Sequence, residues 1–86
     1  QTPRAEVTYW RTASGHEVDF VIEWRRQLVG VEVKANSQPT LRDVTGMRAL
    51  LSEHPKAARG GLVLHGGTES YWLDDKIVAV PWWRVL

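Results

Sequence analysis

An aspartate, Asp19, and a Glu-x-Lys triplet, Glu32-Val33-Lys34, stand thirteen residues apart, each inside a stretch rich in β-branched and aromatic residues. Two carboxylates brought to one place make a hard-oxygen site of the kind Mg²⁺ or Mn²⁺ prefers. A strand carbonyl beside Glu32 adds a further oxygen, and water completes an octahedron. An ammonium two residues along the same strand points the same way as Glu32. It is placed to orient water or to neutralise charge growing on a phosphoryl group. The plainer alternative is a cross-strand surface ion pair worth ~0–1 kcal/mol. Spacing alone favours that alternative, because such short patterns recur by chance. The Gly-led turn before the acid and the Val-rich strand around the triplet argue for a site.

Positioning these groups requires two strands and a tight connection. Residues 15–24 and 28–35 both alternate with period 2, as half-buried strands do. In the first, Val18, Phe20, Ile22 and Trp24 share one face, and Glu17, Asp19, Val21 and Glu23 the other. In the second, Val29, Val31 and Val33 alternate with Gly30, Glu32 and Lys34. Arg25-Arg26-Gln27 has the length of a hairpin loop. Paired that way, the apolar sets cover one side of the sheet and Asp19, Glu32 and Lys34 meet on the other. Glu17 shares the face of Asp19 and is a weak candidate third ligand; a pairing with Arg11 is equally compatible with the pattern.

This arrangement of Asp19 and Glu32-x-Lys34 resembles the core of the PD-(D/E)xK nuclease superfamily, with its restriction-endonuclease-like fold. More closely, Tyr9-Trp10-Arg11-Thr12, then Gly15-His16-Glu17-Val18-Asp19-Phe20-Val21 and Val31-Glu32-Val33-Lys34-Ala35, are similar to the uncharacterised C-terminal domain of a prokaryotic family of AAA+-type ATPases. That similarity runs on to Val80-Pro81 and so spans nearly the whole chain. The resemblance implies an α/β fold, a mixed sheet with a crossover helix, as one domain over residues 1–86 of a larger ATPase. It implies Asp19 and Glu32 as ligands of Mg²⁺ or Mn²⁺ and Lys34 as the catalytic lysine, with DNA as substrate before RNA. ATP would enter only through a domain outside this chain. The superfamily often carries another acid on a helix before the first strand, and Pro3 leaves too little chain here for that helix.

The remaining sequence bounds these expectations. Eighty-six residues without cysteine make one small domain held by burial alone, with five tryptophans to bury. A formal net charge of +1 is not the footprint of an autonomous nucleic-acid binder. No apolar run spans a bilayer and no signal peptide is present, which leads to the expectation of a soluble, cytoplasmic protein. The start at Gln1 reads as a domain cut from a longer chain.

In chain order, Val7–Thr12 is the expected first strand, followed by a turn at Ala13-Ser14-Gly15. His16 is an ordinary loop histidine, since His54 and His65 stand far off without ligand-like spacing. Asn36 and Ser37 leave the strand beside Lys34 and are weak candidates for substrate contact. Thr40 caps a helix running to about Glu53, with Asp43 three positions on and Leu41, Val44, Met47, Leu50 and Leu51 on one stripe. Gly46 inside that helix points to close approach to the sheet. Lys56 and Arg59 are the candidate phosphate contacts outside the motif. A strand at Leu62–His65, a turn at Gly66-Gly67-Thr68, and short strands at Tyr71–Leu73 and Ile77–Val80 follow. Pro81 ends the ladder, and Trp82 and Trp83 form a packing lid. Three functions compete: a metal-dependent phosphodiesterase, a non-catalytic accessory domain of the ATPase, and an interaction module with no nucleic-acid role.

Overall fold

The computed structural model describes residues 4–12 and 14–85, so Pro3, Ala13 and Leu86 lie outside the described residues. Six strands form one mixed sheet: β1 (Glu6–Arg11), β2 (Glu17–Trp24), β3 (Gln27–Val33), β4 (Ala58–His65), β5 (Tyr71–Asp74) and β6 (Ile77–Pro81). Their spatial order is β1-β2-β3-β4-β6-β5. The central strands β3, β4 and β6 are parallel, flanked by antiparallel β2 and β1 on one side and β5 on the other. This is an α/β domain, with a crossover from β3 to β4 through a 3-10 turn (Leu41–Val44) and one helix, α1 (Thr45–Glu53).

The expected helix start at Thr40 is present, but its first turn winds as 3-10. Asp43 reaches back to accept from the Thr40 backbone N–H at 2.7 Å and from its hydroxyl at 3.3 Å, while the Asp43 N–H donates to the Thr40 carbonyl at 2.9 Å. That i→i+3 bond tightens the turn, and α1 begins only at Thr45.

The helix stripe lands as the sequence predicts. Val44, Met47 and Leu50 are fully buried, and with Val18, Val21, Val63, Ile77 and Ala79 they make the core. Gly30 and Gly61 sit side by side on β3 and β4 directly beneath Met47, whose thioether fills the space their missing side chains leave. Gly46 is the close approach the sequence points to, because a Cβ there would run into the backbone of Glu17. Replacing Gly by Ala in a helix ordinarily gains ~1 kcal/mol. Here Gly46→Ala is expected to cost about 1–3 kcal/mol, because backbone meets backbone and neither side can yield. A thermal melt of the variant above that of wild type would contradict the contact.

Two face assignments are corrected. In β2 the buried residues are Val18 and Val21, while Phe20 is 47% and Trp24 44% exposed. The cause is a β-bulge: Trp10 pairs with Val18 and Thr8 with Val21, so Asp19 and Phe20 together oppose the single residue Tyr9. The extra residue breaks the alternation, moving Phe20, Ile22 and Trp24 to the face opposite Val18. In β3 the helix-covered face carries Gly30 and Glu32, and Val29, Val31 and Val33 point the other way. The core therefore lies on the same side as the candidate carboxylate. The terminal tryptophans are also not a lid over the core. Trp82 and Trp83 are each 49% exposed on a 3-10 turn (Trp82–Arg84), and the Trp83 indole donates to the Gly67 carbonyl at 3.3 Å.

Candidate functional site

Parallel strands in α/β sheets gather ligands at their carboxyl ends, and the candidate groups collect there, at the end of β3. Glu32 is the next-to-last residue of that strand, on its helix-covered face, and only 5% exposed. Its Oε2 lies 3.5 Å from the Lys34 ammonium, which is about one-third exposed. At that separation the contact is Coulombic, and among the described residues no donor is in hydrogen-bond geometry to the buried Oε2. Asp19 reaches the same strand end by another route. The bulge ends ladder pairing at Phe20–Val31, and the Asp19 Oδ2 takes the next free donor, the Val33 N–H, at 2.9 Å. Asp19 is thereby tied to the residue between Glu32 and Lys34, near enough for its charge to act on the Glu32 carboxyl.

The electrostatics of Glu32 follow from this placement. Burial pushes its carboxyl pKa above the ordinary 4.5; Lys34 opposes that shift, and the Asp19 carboxylate adds to it. A carboxyl whose folded pKa exceeds its unfolded one binds protons more tightly in the folded chain. Its contribution to stability is therefore fully present below pH 4.5 and declines as pH rises through the folded pKa. Glu32→Gln, which removes the charge and keeps the shape, is expected to melt higher than wild type at neutral pH. The gap should close as the pH is lowered below 4.5. Melting curves across that range test the sign.

The other candidate residues separate. Glu17 is held by Arg11 as an exposed ion pair across β1 and β2, at 2.6 Å. Asn36 and Ser37 lie in the loop after Lys34. Ser37 lines an open cleft of about 610 Å³ with Gln38, Thr40, Gly67, Glu69 and Tyr71, between the loops that follow β3 and β4. None of Asp19, Glu32 and Lys34 lines that cleft. Lys56 and Arg59 sit at the opposite end of the sheet from Lys34. Next to Lys56, the Ala57 carbonyl accepts from Leu28 at the start of β3, whereas the Lys34 N–H donates to Leu64 near the end of β4. They do not converge with the carboxylates. Among the described residues no group of three or more Asp, Glu, His or Cys is arranged to hold a metal.

A family model described as "Domain of unknown function (DUF4143)" matches residues 1–85. The chain belongs to the DUF4143 family. Comparison with curated proteins and with solved structures gives no match.

Two features of this DUF4143 domain escape sequence reasoning. His65, at the end of β4, is fully buried. Its Nδ1 accepts from the Gly67 N–H at 2.9 Å, which leaves Nε2 as the donor to the Glu69 carbonyl, also at 2.9 Å. The ring is a splint for the cleft wall, with both nitrogens engaged. Tyr71 ties the opposite wall, donating its hydroxyl to the Pro39 carbonyl at 2.7 Å. The Gly-Gly that follows His65 was the one signal in the sequence, since a buried ring bonded two residues on requires a tight turn.

Proposed function

We propose that this DUF4143 domain is the nuclease-like module of a larger ATPase, a restriction-endonuclease-like domain acting as a Mg²⁺-dependent DNA phosphodiesterase. The observation that carries the reading is the buried Glu32 oxygen without a donor among the described residues, beside Lys34 and Asp19. An orphaned buried carboxylate oxygen is costly unless something binds it, and a hard cation is the partner its chemistry suits. The donor set fits that group. Glu32 offers Oε2, and Asp19, with Oδ2 on Val33, offers Oδ1. Asp19 and Glu32 would hold Mg²⁺ or Mn²⁺, which supplies charge neutralisation and a water of lowered pKa when bound. Lys34, exposed enough to meet substrate yet anchored by Glu32, is the group to orient the attacking water or to stabilise the phosphoryl oxygens.

A second reading has its own observation. Two carboxylates without a third acid among the described residues, one of them paired with lysine, also suit a non-catalytic accessory domain in which the cluster is structural. Cleavage by the intact parent protein decides between them. With Mg²⁺ or Mn²⁺ it is expected to cut DNA, and Lys34→Ala is expected to abolish cutting while the variant still folds cooperatively. The near-neutral domain by itself is expected to be much weaker on a polyanion. Absence of cutting by the parent protein under both metals would leave the accessory reading.

A further inference from the structure

Among the described residues, only one face of the sheet is covered. Pairing and alternation place Val7, Tyr9, Phe20, Val31, Leu62 and Trp72 on the other. Those toward the edges are widely exposed: Val7 63%, Tyr9 58%, Phe20 47%, Trp72 68%. Parallel strands such as β3, β4 and β6 are ordinarily buried on both faces. We propose that this face is the interface of a homodimer, two copies of the chain stacking sheet on sheet about a two-fold axis that runs along the strands.

The area fits a second copy. Six strands about 4.8 Å apart, with about five residues of shared length at about 3.3 Å each, give a footprint on the order of 500 Å² per copy before side-chain relief is counted. Two such faces reach about 1,000 Å², where specific interfaces begin. The strand order also fits. An axis along the strands, over the middle of β1-β2-β3-β4-β6-β5, lays β3 of one copy on β4 of the other, β2 on β6 and β1 on β5. Val31 and Val33 then meet Leu62 and Leu64, Phe20 meets Val78, and the exposed Trp72 of each copy covers the exposed Tyr9 of the other.

Charge agrees with the same axis. The β2–β3 turn is Arg25-Arg26, with the Arg25 guanidinium 4.6 Å above the Trp24 ring. The β5–β6 turn carries Asp74 and Asp75. Because β3 and β6 are parallel, both turns lie at the same end of the sheet, toward opposite edges. The rotation carries the basic turn of each copy to the corner of the acidic turn of the other.

Sedimentation velocity of the chain over a wide concentration range tests this. A concentration-dependent monomer–dimer equilibrium is expected. Trp72→Glu should raise the dissociation constant tenfold or more, and its exposed position on an edge strand keeps the fold out of question. Arg25→Asp and Asp75→Arg should each weaken the dimer, and the two together should restore it by at least half. A monomer at every concentration, as when some other partner covers the face, overturns the proposal. So does an open-ended series of oligomers, or a dimer indifferent to both Trp72→Glu and the charge exchange.

Discussion

Leu50→Ala is expected to lower stability by about 2–5 kcal/mol, the range for removing a fully buried leucine and leaving a partly collapsed cavity. Leu50 is fully buried, lies over Gly30, and belongs to the cluster that joins α1 to β2, β3 and β4. Besides Gly30, the side chains of Trp10, Val21 and Leu28 lie around it on the sheet side. A domain of this size has only about 5 kcal/mol or little more in total, and the variant should be substantially unfolded near body temperature. Chemical denaturation of both chains, compared at equal m-value, measures the loss. Coincident midpoints would mean that α1 does not pack on the sheet through this residue.

Mn²⁺ is expected to stabilise wild type and to do nothing for Glu32→Gln or Asp19→Ala. A ligand that binds only the folded chain adds RT ln(1 + [L]/Kd), about 2.7 kcal/mol at a hundredfold excess over Kd. The variants separate two meanings of the Glu32–Lys34 contact. If Glu32 is held ready for a cation, losing its charge removes the cost of burying a carboxylate and the repulsion from Asp19, raises stability without metal by about 1–2 kcal/mol, and cancels the Mn²⁺ effect. If the pair is structural, the same change strands Lys34 and lowers stability whether or not Mn²⁺ is present. Calorimetric titration of Mn²⁺ into wild type and Asp19→Ala gives an independent reading. Heat of binding that survives in Asp19→Ala would remove Asp19 from the site.

Much of the fold was legible because its cues are local. The 3.6-residue stripe of Val44, Met47 and Leu50 and the Thr40–Asp43 cap each depend on residues within a turn or two. Strand positions were legible for the same reason. Which face of the sheet is the core was not, because that depends on what covers it. Gly30 and Gly61 admit Met47, and so the side with fewer large residues on β3 became the buried one. The valines of β3 are the richer apolar set and drew the opposite assignment. The bulge was invisible for a different reason. Val18, Phe20, Ile22 and Trp24 satisfy strict alternation, and only the partner strand shows that Asp19 and Phe20 share one place in it. At the site, Glu32 and Lys34 were legible from their i, i+2 spacing, and Asp19 was placed near them by a geometry the pattern did not contain.

The bulge at Asp19-Phe20 acts as a phase shift in a two-beat signal. Before it, even-numbered β2 residues such as Val18 face the helix; after it, odd-numbered ones such as Val21 do. A length change of one residue at this point therefore cannot be absorbed locally. Deleting either residue restores the beat but takes away the slack that lets Asp19 reach the Val33 N–H. Chains descended from this one can exchange side chains along β2 gradually, but they can change its length only by giving up the carboxylate's position. The site is thereby tied to a residue count, a quantity that point substitution cannot erode.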